Sequence, residues 1–334
     1  MTLPAAVWAL VFVAATAASL RASSSLVRRL EMFAARLGLS EAILGLVSAL
    51  AANSPEITSA AAALVQGQHE VGIGIVLGSN VFNLAALLGL SALVAGSIRL
   101  HRSAVVLTGA VGLWAVLCAL VVVGGGLHPA WGLVAVLLVL VPYIAVAAAP
   151  GILQRLPLPA RWLRFVRLGI VEEELELADA VHPRPGTTRD AMLGAAALAV
   201  VIAASVVMER SASVLGAFFQ LPPIVVGGLV LAAVTSLPNA VAAVYLARRG
   251  RGAAVLSEAM NSNTLNIVLG LLLPATLAGL TSVSGAGGLG AAAFAAALTL
   301  VALCSAYLGR GLSRLPAVLL IAGYLLFAVA LFRH

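Results

Sequence analysis

Apolar runs of membrane length, separated by short polar breaks, occupy almost the whole chain. A helix needs about 20 apolar residues to cross the hydrocarbon core. That ruler places ten spans, at 4–20, 38–65, 71–97, 104–124, 130–149, 190–208, 221–247, 253–280, 288–308 and 315–332. The one long polar segment, 151–189, separates an N-terminal half, 1–150, from a C-terminal half, 190–334, with five spans in each. The expected architecture is therefore an all-α polytopic membrane protein. Within the connecting segment, Arg161, Trp162, Arg164, Phe165 and Leu168 have the spacing of a short amphipathic helix lying on the membrane surface. The acidic run Glu172, Glu173, Glu174, Glu176 and Asp179 lacks the alternating oxygen ligands of a calcium loop, and reads as a solvated helix face. His182-Pro183-Arg184-Pro185-Gly186 reads as a turn or linker.

Polar residues inside the apolar runs are few, and they recur. Between Gly45 and Gly89 the chain holds Glu56, directly after Pro55, and then a second knot at Gly78-Ser79-Asn80 and Asn83. A constant shift of 183 lays Gly45 on Gly228, Pro55 on Pro238, Glu56 on Asn239, Ser79 on Ser262, Asn80 on Asn263 and Asn83 on Asn266. One ungapped offset serving both knots marks an internal repeat, about 45–89 and 228–272. A charge in mid-membrane costs about 3 kcal/mol or more, which makes Glu56 a functional-site candidate from the outset.

Composition agrees with the span reading. Of the residues, 62% are hydrophobic and only 9% charged, far too few for a soluble surface. The formal charge of +7 would suit a nucleic-acid binder, but every basic residue is an arginine lying between apolar runs, where it faces lipid headgroups. With the N-terminus outside, 17 of the 19 fall on inside segments, the exceptions being Arg210 and Arg333. This asymmetry predicts both termini outside and the 151–189 segment in the cytoplasm. It also gives the two repeats opposite orientations, so the halves form inverted five-helix repeats, an arrangement typical of secondary transporters. The first apolar run lacks a basic segment before it and is followed by Arg21, which fits a first membrane helix better than a signal peptide. Cys118 and Cys304 lie in apolar runs without ligand spacing and read as small packing residues.

The knots carry chemistry suited to a hard cation. Pro55 removes a helical donor, so carbonyls near Ala52 and Asn53 lose their partner. In a membrane such carbonyls must be satisfied by protein, water or an ion, and hard cations take oxygen ligands. Glu56 adds the negative charge. In the second repeat Thr235, Ser236 and Asn239 supply hydroxyls, carbonyls and an amide oxygen. Ser79 and Asn83, four apart, share a helix face, as do Ser262 and Asn266. Gly72, Gly74 and Gly78 permit close helix approach. A lone serine or threonine in such a helix commonly bonds its own backbone. It is the recurrence in two oppositely directed segments that points to a shared ion site.

These motifs resemble those of the cation/calcium antiporter superfamily, which contains the sodium/calcium exchangers. Its two alpha repeats typically read G-T-S-x-P-E and G-S-N-x-F-[ND]. Here the first repeat has Asn53-Ser54-Pro55-Glu56 and Gly78-Ser79-Asn80-Val81-Phe82-Asn83. The second has Thr235-Ser236-Leu237-Pro238-Asn239 and Asn261-Ser262-Asn263-Thr264-Leu265-Asn266. The resemblance implies a ten-helix exchanger-like fold with an ion site between the halves, and alternating access by sliding of the first and sixth helices. Carried over by position, the implied ligands are Ala52 through its carbonyl, Asn53, Glu56, Ser79, Asn83, Thr235, Ser236, Asn239, Ser262 and Asn266. The family's calcium exchangers usually carry a second glutamate and often an aspartate, where this chain has Asn239 and Asn266.

The implied activity is secondary antiport of cations, Ca2+ with Na+ or H+, with no cofactor and with the lipid bilayer and inorganic cations as partners. One carboxylate balances a monovalent ion but leaves a divalent ion uncompensated, so a monovalent cation or cation/proton exchanger is the alternative. A non-transporting membrane scaffold or sensor is a second alternative. An intramembrane enzyme is disfavoured because no nucleophile–base pair or metal cluster stands in the spans. The expected location is a prokaryotic inner membrane. Glu258, one turn before Ser262, reads as a partner of Arg248, Arg249 or Arg251 rather than a ligand. Glu41, Glu70, Asp190 and Glu209 read as interfacial, and His69 as a loop residue.

Overall fold

The computed structural model describes residues 4–37, 41–148, 159, 161, 163–166, 168–169, 185–283 and 287–333. Its elements are α1 (Ala5–Arg36), α2 (Glu41–Ala52), α3 (Ser54–Val65), α4 (His69–Asn83), α5 (Ser91–Ala95), α6 (Arg102–Val123) and α7 (Pro129–Ala148). After the connecting segment come α8 (Thr188–Phe218), α9 (Pro223–Val225), α10 (Ala232–Arg248), α11 (Gly252–Leu265), α12 (Leu273–Leu277), α13 (Gly288–Gly309) and α14 (Arg314–Leu331). Among the described residues, π-helical turns are inserted at Leu84–Leu90, Val226–Leu231 and Asn266–Leu272. Eight helices among the described residues are long and apolar enough to cross a membrane. The expected span 38–65 is not one helix but two of 12 residues each, broken at Asn53. The segment at 253–280 is likewise built of α11, a π turn and the short α12.

The burial pattern is that of a protein in an apolar solvent. Leu10, Leu138, Leu308 and Leu326 are exposed on the outside of the bundle, whereas Asn53, Glu56, Asn83, Asn263 and Asn266 are buried inside it. Lipid satisfies no backbone or side-chain donor, so polar groups gather where protein can pair them. The span containing α4 is the most completely enclosed. Two packing contacts position it. An added Cβ at Gly78 would lie 2.2 Å from the Gly228 carbonyl oxygen, and one at Gly74 would lie 2.8 Å from that of Ile224. The backbones of α4 and the π turn Val226–Leu231 thus meet directly, which only the absent side chains permit. That contact carries the first repeat's polar face against the second repeat.

One element is absent from the expected all-α description. Ser97–Arg99 (β1) pairs antiparallel with Gly311–Ser313 (β2), in the register Ser97 to Ser313, Ile98 to Leu312 and Arg99 to Gly311. At Gly311, with φ 140°, a Cβ would lie 2.0 Å from the Ile98 carbonyl oxygen. Gly252 at the start of α11 abuts the Arg99 carbonyl. The loops bearing Arg99, Arg102, Arg251, Arg310 and Arg314 therefore gather at one end of the bundle, as the arginine asymmetry requires. Arg161, Arg164, Phe165 and Leu168 are helical, and Phe165 and Leu168 line a cavity of about 980 Å³ beside this ribbon. Trp162, the acidic run 172–179 and the turn residues His182, Pro183 and Arg184 lie outside the described residues.

α1 and α8 form a peripheral antiparallel pair. Ser19 Oγ meets Ser205 Oγ at 2.8 Å midway along it. Arg29 Nη1 reaches Asp190 Oδ1 at 2.9 Å near one end. Asp190 also closes a capping box with Thr187 at the start of α8.

Candidate functional site

The site begins with the broken helix. Pro55 has no N–H to give the Ala51 carbonyl, the usual i−4 acceptor. Ser54 Oγ takes over that oxygen at 2.6 Å, and Ser23 Oγ of α1 adds a second bond at 3.0 Å. Relieved of a helical partner, the chain turns at Asn53 and restarts as α3, which puts Glu56 in its first turn. The Ala52 carbonyl also lies near Ser23 Oγ, at 3.4 Å. No hydrogen bond among the described residues draws Ala52 toward Glu56.

Glu56 is buried, with 1% of its surface exposed, and both carboxylate oxygens are engaged by the second repeat. Ser236 Oγ donates to Oε1 at 2.5 Å, and Asn266 Nδ2 donates to Oε2 at 2.6 Å. Hydrogen bonds to an ionised acceptor are short and strong. Asn53 sits beside it: Asn239 Nδ2 donates to Asn53 Oδ1 at 2.7 Å, and Asn53 Nδ2 donates to Ser262 Oγ at 2.9 Å. The shift of 183 maps Asn53 on Ser236 and Glu56 on Asn239. The Asn53–Asn239 and Ser236–Glu56 contacts are therefore the same contact made twice, once from each repeat.

Asn80 and Asn263 close the other side. Asn80 Nδ2 donates to the Asn263 carbonyl at 3.2 Å, and Asn263 Nδ2 donates to the Asn80 carbonyl at 3.1 Å. Asn83 Nδ2 donates to Asn263 Oδ1 at 3.0 Å. Four buried oxygens around this cluster have no hydrogen-bond partner among the described residues: Ser79 Oγ, Asn80 Oδ1, Asn83 Oδ1 and Asn266 Oδ1. Buried acceptors without donors are costly unless something satisfies them. Three of the four belong to the implied ligand set, Asn80 being the exception. A cation of hard character is what a set of lone-pair oxygens beside one carboxylate would hold. Among the described residues no group of three or more His, Cys, Asp and Glu stands together anywhere.

The expected ligands thus divide. Asn53, Glu56, Ser236, Asn239, Ser262 and Asn266 fall into two bonded groups, Ser236–Glu56–Asn266 and Asn239–Asn53–Ser262. Ser79 and Asn83 present unpartnered oxygens. Thr235 is occupied elsewhere: its Oγ1 bonds the Leu231 carbonyl of its own helix at 2.8 Å, and that of Ala232 at 3.3 Å. Asn80 and Asn263, absent from the ligand set, are structural members of the cluster; the constant offset had already paired them. Glu258 forms no ion pair with Arg248, Arg249 or Arg251 among the described residues; Glu31, held by Ser48 at 2.8 Å, and Glu56 lie within its electrostatic reach. Glu209, read as interfacial, is fully buried within the protein. His69 opens α4 rather than standing in a loop.

A family model described as "Sodium/calcium exchanger protein" matches residues 7–149 and 191–333. The chain belongs to that family. Its members are transmembrane transporters of cations, not enzymes. The inner membrane protein YrbG of Escherichia coli (strain K12) is 28% identical over 250 residues, covering 72% of this chain and 70% of its own. Among solved structures, the H+/Ca2+ exchanger CAX superposes with a TM-score of 0.69 at 16% identity, over 98% of this chain and 82% of that one. The sodium-calcium exchanger NCX_Mj superposes with a TM-score of 0.62 at 20% identity, over 98% and 99%. At those identities the superpositions speak to the fold.

Proposed function

We propose that the chain is a secondary cation antiporter that carries its ion on Glu56 by alternating access, in ten spans arranged as two inverted halves. The observation that carries this reading is a buried carboxylate of one repeat held by a serine and an asparagine of the other. An ion bound there contacts both halves at once, so movement of one half against the other changes its exposure. The family model's two matched segments, 7–149 and 191–333, support the division into halves. The arginine-bearing ribbon end supports a cytoplasmic assignment for that face.

Charge counting favours a monovalent ion, Na+ or H+, as the species on Glu56. Asn239 and Asn266 are neutral where a second and third carboxylate would be needed to neutralise a divalent ion. Calcium is the second reading, favoured by membership of the sodium/calcium exchanger family. Proteoliposome fluxes separate the two. 22Na+ movement driven by a pH gradient in calcium-free buffer is expected for the first. 45Ca2+ uptake driven by an outward Na+ or H+ gradient is expected for the second. Absence of gradient-driven flux of every cation would reject antiport and leave a scaffold or sensor. An inner membrane of a prokaryotic cell is the proposed location, supported by the similarity to the E. coli inner membrane protein.

A further inference from the structure

Glu209 of α8 is a carboxylate that the Glu56 site does not use. It is completely buried, although it stands within a candidate span; Arg210 beside it is exposed and acts on it electrostatically without coming within ion-pair distance. Its Oε1 accepts from Ser213 Oγ at 2.9 Å, while its Oε2 has no partner among the described residues. An intramembrane acid so placed marks a functional site unless something pairs it.

Its surroundings are polar and connected to Glu56. Ser205, one turn before Glu209, bonds Ser19 across the α1–α8 seam. Thr16, one turn before Ser19 on the same face of α1, carries a buried Oγ1 that also has no partner among the described residues. The two helices are antiparallel, so Thr16 and Glu209 both lie one turn beyond the Ser19–Ser205 bond. Both are displaced toward the Phe218 end of α8, away from the Arg29–Asp190 pair. From that bond the polar track continues inward, because Ser59 Oγ donates to the Ser205 carbonyl at 3.3 Å. Ser59 stands one turn from Glu56 on α3.

We propose that Glu209, with Thr16 and Ser213, forms a second station for a monovalent cation at the α1–α8 seam, on the route between the face opposite the arginine-bearing ribbon and Glu56. One carboxylate and two hydroxyls offer hard oxygen ligands and a single negative charge, matching Na+ in charge and chemistry. The station extends the exchange reading but is tested by binding alone, so it stands or falls independently of flux.

Equilibrium binding of 22Na+ to the purified full chain in detergent decides it. Glu209→Gln is expected to bind one Na+ fewer than the wild type while retaining the component removed by Glu56→Gln; the double variant loses both. Glu209→Asp is expected to restore the site with weaker affinity. An unaltered 22Na+ isotherm in Glu209→Gln overturns the station, as does a wild-type chain whose whole binding disappears in Glu56→Gln. If Glu209→Gln does not give monodisperse protein, Thr16→Val and Ser213→Ala decide instead, because they keep the carboxylate. Each should weaken the Glu209 component about tenfold, near 1.4 kcal/mol; unchanged affinity in both overturns the proposal. Absence of flux in wild-type vesicles alongside two bound Na+ would reject the exchange reading and leave the station standing.

Discussion

Asn80 and Asn263 hold each other's backbone: each side-chain amide donates to the other's carbonyl, at 3.2 and 3.1 Å. The pair sits where α4 and α11 cross, and it is symmetric under the repeat offset. Interhelical hydrogen bonds in membranes contribute about 0.6 kcal/mol on average and up to about 1.7. Asn80→Ala and Asn263→Ala are each expected to destabilise by about that amount. Each side chain bonds a backbone carbonyl that the other substitution leaves in place, so the double variant should lose about the sum. A double-mutant cycle by thermal unfolding in detergent measures this; a coupling well beyond about 0.5 kcal/mol would contradict two independent bonds.

Gly78 and Gly228 give a sharper stability test. A methyl at position 78 would meet the backbone of the opposing π turn at 2.2 Å, and backbone cannot swing aside. Gly78→Ala is expected to cost upward of about 3 kcal/mol or to prevent assembly. Gly309→Ala, where an added Cβ meets nothing within 4 Å, is the control and should stay within about 0.5 kcal/mol of the parent.

The two prolines show how far the sequence could be read. Pro55 and Pro238 align under the offset, so a break at each is the symmetric expectation. Pro55 breaks its helix, but Pro238 lies inside the continuous α10. The difference lies one residue earlier. Ser54 offers a hydroxyl to the orphaned Ala51 carbonyl and stabilises the break. Its counterpart Leu237 has none, so the helix keeps its path and the irregularity moves to the π turn Val226–Leu231. Pairwise register was legible because it rests on spacing: it aligned Asn80 with Asn263, which do meet, but it aligned Glu56 with Asn239, whereas the hydrogen-bond partner of Glu56 is Ser236. Local satisfaction of single carbonyls and hydroxyls, which decides Ala52 and Thr235, depends on packing partners such as Ser23 that lie far away in sequence. The ribbon at Ser97–Arg99 was illegible for a related reason: three residues per strand carry no alternating pattern. The burial of Glu209 was illegible because the span containing it was expected to end at 208, whereas α8 continues to Phe218.

Pro55→Ala tests the role of the break. It restores a donor for the Ala51 carbonyl, so α2 and α3 can join into one helix. Stability should hold or rise by up to about 1 kcal/mol, while transport falls at least tenfold. Unchanged flux would show that the break at Asn53 does not serve transport.

Ser23 links the peripheral α1–α8 pair to the same break through the Ala51 carbonyl. In the proposed alternating access, sliding of that pair would break and remake this bond. Ser23→Ala is expected to cost about 1 kcal/mol of stability in the state described here and to change the maximal exchange rate with little effect on half-saturation. Initial-rate measurements over a range of cation concentrations distinguish this from a direct ligand role, which would raise half-saturation.

Neutrality at Asn239 is what points to a monovalent ion. Asn239→Glu places a second carboxylate opposite Glu56 and should shift preference toward Ca2+ by about tenfold or more, near 1.4 kcal/mol, with weaker competition by Na+. Competition of Ca2+ against 22Na+ binding measures the ratio; an unchanged ratio would mean that charge count does not set selectivity.

The central claim is that one carboxylate carries the exchanged ion. Gradient-driven cation flux in proteoliposomes, compared between the parent chain and Glu56→Gln at equal reconstitution, tests it most directly. Gln keeps the size of the side chain but removes its charge. Flux in the variant is expected to fall to the level of protein-free vesicles; flux equal to that of the parent would contradict the account.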